Sequence, residues 1–190
     1  MTRRLIATAA VLAAGLATAH AQTREPAPPA RYGIGRPATP AEIAAIDIDV
    51  RPDGRGLPAG RGTAAEGAPI YAAKCAACHG ATGKEGPNDV LVGRATPGFT
   101  FSQDPALPHT IGNYWPYATT VFDVTRRSMP MFAPGSLTAD EVYAITAYLL
   151  ATNGVIGERD EMNAQSLPKV RMPNRDGFVG IDAALPRGPR

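Results

Sequence analysis

The chain has 190 residues, with 19 basic and 17 acidic side chains and a formal charge of +2. That balance excludes a strongly basic nucleic-acid binder. Gly and Pro supply 39 positions against 36 for Leu, Ile, Val and Phe, so turn formers outnumber core formers; with 44% hydrophobic residues the chain is still not a solvated tail.

The first 21 residues read as an export signal. Arg3 and Arg4 give a positive start, residues 5–18 a short apolar run, and Ala19-His20-Ala21 a small-x-small pattern that places cleavage after Ala21. The run is shorter than the ~20 residues a membrane span needs, so the mature chain is expected to have none. Losing Arg3 and Arg4 leaves 17 basic against 17 acidic residues, of which only Lys74, Lys84 and Lys169 are Lys. The mature chain keeps 31 of the core formers, which is thin. A cofactor or a partner subunit is expected to supply the missing apolar contact.

Residues 22–63 form a Pro- and Gly-rich arm. Thr39-Pro40-Ala41-Glu42 starts a short helix, with Thr39 as N-cap, Pro40 in the first turn and Glu42 reaching back to the cap. It should end near Ile46 or Asp47. The arm also carries Ile34, Ile43, Ile46, Ile48, Val50 and Leu57, which a solvated linker would not need. An ordered arm lying on a surface is the expectation.

Residues 64–154 read as a compact all-α segment. A first helix is predicted over 64–76, with Ile70, Tyr71 and Lys74 at helical spacing. A second covers 111–127, where Tyr114, Ala118, Val121, Phe122 and Thr125 recur, with Trp115 and Pro116 in its first turn. The third starts with Thr138 as N-cap and Glu141 completing the box. Val142, Ile145 and Leu149 share a face, and Asn153-Gly154 is the stop. A loop-rich stretch, 80–109, separates the first two helices. Residues 155–190 form a second arm, in which Val170, Met172, Phe178, Val179 and Ile181 could dock and the last few residues fray.

Both cysteines lie in Cys75-Ala-Ala-Cys78-His79. This spacing reads as covalent attachment of one c-type haem. Two thiols at the end of a helix can meet the two vinyl groups of the porphyrin, and His79 then stands under the iron. A disulfide between the two thiols, a thioredoxin-like redox pair and a zinc site compete with this reading. The redox pair wants a preceding strand, and zinc wants four ligands. The alternative function is thus an exported thiol–disulfide or metal-binding module without haem; a peroxidase-like haem with open iron is a third.

The sixth iron ligand is sought among Met129, Met131, Met162, Met172 and His109. Met129 precedes Pro130, which pushes it out of helical geometry onto an extended platform after the second helix. Met131 would point the opposite way if the loop stays extended. Met129 is therefore favoured. With His and Met both bound, outer-sphere electron transfer is the remaining use of the iron. Arg126 and Arg127 end the second helix. They are either helix C-terminal charge or partners of a haem propionate.

These residues resemble a known family. Cys-x-x-Cys-His followed by Gly80, a Met-Pro loop and a capped terminal helix resemble class I cytochromes c. Tyr32-Gly-Ile-Gly-Arg-Pro-Ala-Thr-Pro40, Val50-Arg-Pro-Asp-Gly54, Tyr114-Trp-Pro-Tyr-Ala-Thr-Thr120 and Arg126-Arg-Ser-Met-Pro130 resemble the cytochrome subunit of bacterial Sox sulfane dehydrogenase, whose relatives serve sulfite dehydrogenases. The resemblance spans about residues 32–175. It implies a periplasmic protein that takes electrons from a molybdenum-cofactor subunit and passes them to another cytochrome c. It also implies covalent haem at Cys75 and Cys78, with His79 and Met129 as iron ligands. Many Sox cytochrome subunits carry a second haem domain. A single Cys-x-x-Cys-His here leaves a stand-alone or sulfite-type role open.

Overall fold

The computed structural model describes residues 33–94 and 107–178. The expected export signal, and Val179 and Ile181, lie outside them. The chain divides into two units, Met1–Ala38 and Thr39–Arg190. In the first, residues 33–38 are irregular, and Arg36 Nη1 donates to the Pro37 carbonyl at 3.1 Å.

The second unit opens with α1, Pro40–Ile46, capped as expected: Thr39 and Glu42 exchange hydrogen bonds in a complete capping box. After it the chain turns inward. Val50 is buried and Leu57 packs against the core. Strand β1, Arg61–Thr63, then leads into α2, Ala64–Lys74, through a second capping box between Thr63 and Glu66.

Three more helices, a second strand and a 3-10 turn follow among the described residues. The first predicted helix is broken. Cys75 leaves helical geometry at φ −123°, and α3, Ala76–His79, starts anew. The second predicted helix begins seven residues later than expected, as α4, Ala118–Ser128. Residues 111–117 are turns instead, so Trp115 and Pro116 precede the helix. The reason is Pro116, which disfavours helical geometry at Trp115. The third helix, α5, Ala139–Thr152, has the expected Thr138–Glu141 box and stops at Asn153, with Gly154 at φ +64°. A short strand, β2 (Glu161–Asn163), pairs antiparallel with β1, Arg61 opposite Asn163. A 3-10 turn, Leu167–Lys169, packs on α4. Apart from this two-stranded ladder, the described residues form an all-α fold. No described helix is long and apolar enough to cross a membrane.

The core forms around α5. Val142 to Ala147, Leu149 and Leu150 are all buried, more than the single face the spacing suggested, because α2, α4, β1 and β2 all pack on this helix. Helix α2 approaches it through Gly67. A Cβ there would lie 2.0 Å from the Ala144 carbonyl oxygen. Gly67→Ala must therefore force the helices apart. The cost of overpacking, about 1–3 kcal/mol, exceeds the ~1 kcal/mol that Ala gains over Gly in a helix. A lower melting temperature is expected, measurable by circular dichroism.

The second arm is no frayed tail over its described part. Met162, Leu167 and Met172 are buried in the same core. Asn174 Nδ2 donates to the Tyr114 carbonyl at 2.7 Å, and the Arg175 guanidinium lies 4.2 Å from the centre of the Tyr117 ring.

The first arm is fastened to α4. Asp123, 6% exposed, accepts the Val50 amide at 2.9 Å through Oδ1 and is clasped by Arg127 one turn on. Arg126 Nη1 donates to the Ile48 carbonyl at 3.2 Å. Asp123→Ala would leave the buried Val50 amide without an acceptor. That costs about 1–3 kcal/mol. Faster hydrogen exchange at Val50 and a lower melting temperature are the expected signs.

A candidate haem-binding and iron-ligating centre

Helix α2 and the short α3 present the three residues of the motif. The break at Cys75 puts one thiol at the end of α2, and Cys78 and His79 follow within the next turn. The His79 amide still bonds back to the Cys75 carbonyl at 3.0 Å, so the three side chains are held on one compact turn. Both thiols are free and half-buried. Burial pushes the Cys75 thiol up to about 11. A reactive redox cysteine needs the opposite shift, toward thiolate. Among the described residues no three His, Cys, Asp or Glu side chains gather as a metal site, so the four ligands of structural zinc are not assembled there.

His79 has one ring nitrogen engaged. Its Nδ1 lies 2.8 Å from the Asp89 carbonyl oxygen. A carbonyl only accepts, so Nδ1 carries the proton and Nε2 holds the lone pair. That is the arrangement of a metal-bound histidine, whose second nitrogen is oriented by a backbone acceptor.

The loop after His79 is built to hold that carbonyl. Gly80 turns the chain at φ +82°, and its carbonyl accepts the buried Tyr71 hydroxyl at 2.9 Å. The Asn88 amide returns to the Cys78 carbonyl at 3.0 Å. Gly86 sits so close to the same strand of chain that a Cβ would fall 2.1 Å from the Cys78 oxygen. Glu85 gathers the Thr82 hydroxyl and amide and the Lys84 amide. These bonds, the Thr82 hydroxyl first, hold its carboxyl down at about 2. Further on, Asn153 closes the loop onto α5: its Oδ1 accepts the Gly93 amide at 3.0 Å and its Nδ2 donates to the Leu91 carbonyl at 3.2 Å.

Met129 stands at the C-terminal end of α4. It is half-buried and extended, at φ −119° and ψ 147°, as the following proline requires, and the Met129–Pro130 peptide is cis. The rival methionines sit elsewhere. Met131 is 54% exposed, beside an exposed Phe132, while Met162 and Met172 are core residues at 4% and 1%. His109 stacks on Tyr114 with 4.0 Å between ring centres. Arg126 and Arg127, at the same end of α4 as Met129, are both engaged with protein groups, Ile48 and Asp123. Asp89 and Asn153 are the residues that sequence reasoning missed. The first acts through its backbone and leaves no side-chain signal. Asn153 was legible only as a helix stop.

The donor set fits a c-type haem. Two unpaired thiols at the right spacing and an imidazole oriented through Nδ1 match what that group requires. Three comparisons with known proteins bear on this. The model of the family "Cytochrome C oxidase, cbb3-type, subunit III" matches residues 62–149. No curated protein matches the chain. Among solved structures, a chain of the sulfane dehydrogenase SoxCD from Paracoccus pantotrophus is 40% identical, with a TM-score of 0.70, over 81% of this chain and 74% of that one. A relationship that close, spanning most of both chains and joined to the cytochrome match around Cys75, Cys78 and His79, shows that the chain belongs to the class I c-type cytochromes, in the group that includes this sulfane dehydrogenase chain.

Proposed function

We propose that the chain is the monohaem electron-transfer subunit of a sulfane or sulfite dehydrogenase, exported to the periplasm with cleavage after Ala21. In this reading it takes electrons from a molybdenum-cofactor catalytic subunit and passes them to another cytochrome c. Cys75 and Cys78 would hold one haem c covalently, with His79 and Met129 as the residues that would ligate its iron; the group would supply a one-electron couple. The likeness to the sulfane dehydrogenase chain carries the proposal.

The chain's own residues have defined tasks in it. The Asp89 carbonyl fixes the His79 tautomer and makes Nε2 a stronger donor. Tyr71 and Asn153 hold the loop that carries Asp89. The turn of α4 at Met129 fixes where its thioether is delivered. Arg126 and Arg127 anchor the first arm through Ile48 and Asp123. Charge supports a standing partner over a transient one. The mature chain is neutral with three lysines, so it has no lysine ring to steer brief encounters.

Purification of the mature protein from its native host tests the reading. Molybdenum and haem are expected to elute together in fixed ratio, with electrons reaching the haem when sulfite or a sulfane substrate is added. Haem protein that elutes free of molybdenum, and stays oxidised with those substrates, would contradict it.

A further inference from the structure

The first arm's apolar residues divide sharply. Val50 and Leu57 enter the chain's own core, and Ile48 is half-buried beside α4. Helix α1 does not follow them: none of its residues is buried, and Ile43 and Ile46 are 49% and 81% exposed. Three positions apart, they share one face of the helix.

A seven-residue helix cannot stand on propensity alone. Yet α1 is fully finished. Both the Thr39 amide and hydroxyl donate to Glu42 Oε2, at 2.8 and 3.0 Å, and the Asp47 amide closes on the Ile43 carbonyl at 2.8 Å. Its base is fastened at once, by Arg126 to the Ile48 carbonyl and by Asp123 to the Val50 amide. The result is a short apolar knob on a firm foot. Glu42 is the only charged side chain in Pro40–Ile46, and its carboxylate bonds back to Thr39. Without Lys or Arg the helix has nothing to offer anionic lipid or phosphate.

The comparisons narrow the occupant. The cytochrome family model begins only at residue 62, so α1 is no part of the shared cytochrome domain. The sulfane dehydrogenase likeness covers 81% of the chain, and no unbroken stretch of that length can leave α1 out. Helix α1 thus belongs to what this chain shares with a dehydrogenase chain in particular. We propose that α1 is the docking element for the molybdenum catalytic subunit, seated with Ile43 and Ile46 as anchors in an uncharged apolar groove of that subunit. This rests on the function proposed above. The foot of the knob is the helix that ends at Met129, so docking would bring the partner to the methionine end of α4.

The test compares the mature holoprotein with its Ile43→Asp/Ile46→Asp and Ile43→Ser/Ile46→Ser variants, each titrated onto the purified catalytic subunit. Both variants are expected to bind on the order of 100-fold more weakly, as for loss of anchoring side chains. Their visible spectra and reduction by dithionite should match the unmodified protein, since neither residue is buried. Unchanged affinity in both variants overturns the inference and leaves the proposed function standing. Unmodified protein that does not bind the subunit at all overturns the function itself, and the inference with it. A dimer of the chain alone that both variants dissolve would make α1 a self-association surface instead, and also overturns the inference.

Discussion

Replacement of both Cys75 and Cys78 by Ser is expected to yield protein that loses all of its haem on denaturation. No other cysteine is available to form a thioether. The single variants should each keep one bond and stay coloured on a denaturing gel. The double variant should also fold poorly. The chain has few large aliphatic residues for its length, and the apolar faces of a haem would supply core contact that the polypeptide alone lacks. Its far-ultraviolet circular dichroism is expected to fall well below that of the unmodified protein. Haem stain surviving in the double variant would remove both cysteines from the site.

Met129→Ala is expected to abolish the spectrum of His/Met-ligated low-spin iron and to open one axial position to cyanide or imidazole. Thioether ligation favours the reduced form, so the reduction potential should fall, on the order of 0.1 V within the roughly 0.8 V that axial ligands span. Met131→Ala serves as the control. Its side chain is 54% exposed, and its replacement should leave spectrum and potential as they were. The reverse pattern would transfer the ligand to Met131 and show that the loop after α4 turns differently about Pro130.

The helix ends at Thr39 and Thr138 were legible because a capping box is a local device, written in four consecutive residues. The same signature stands at Thr63 and Glu66, directly before the helix that the spacing of Ile70, Tyr71 and Lys74 places from residue 64. The start of α4 departs from the spacing of its apolar residues. Tyr114 repeats at helical spacing with Ala118 and Val121, but periodicity does not register that Pro116 excludes the residue before it from helix. Pairing of β1 with β2 joins segments about a hundred residues apart through three residues each, too short to leave an alternating pattern. The motif at Cys75 to His79 was readable because the chemistry requires side chains at fixed spacing. The elements that steady it were not, since the Asp89 contact is made by a main-chain oxygen and Asn153 reaches across from another helix. Asp123 was readable in principle, as an acid on the apolar side of α4 four residues before Arg127.

The most direct measurement is the mass of the mature protein after complete denaturation and removal of loosely bound groups. The expected result is a single species heavier than the polypeptide of residues 22–190 by one haem, with no thiol left to alkylate. A species at the bare polypeptide mass, with two reactive thiols or with a disulfide between Cys75 and Cys78, would contradict the account.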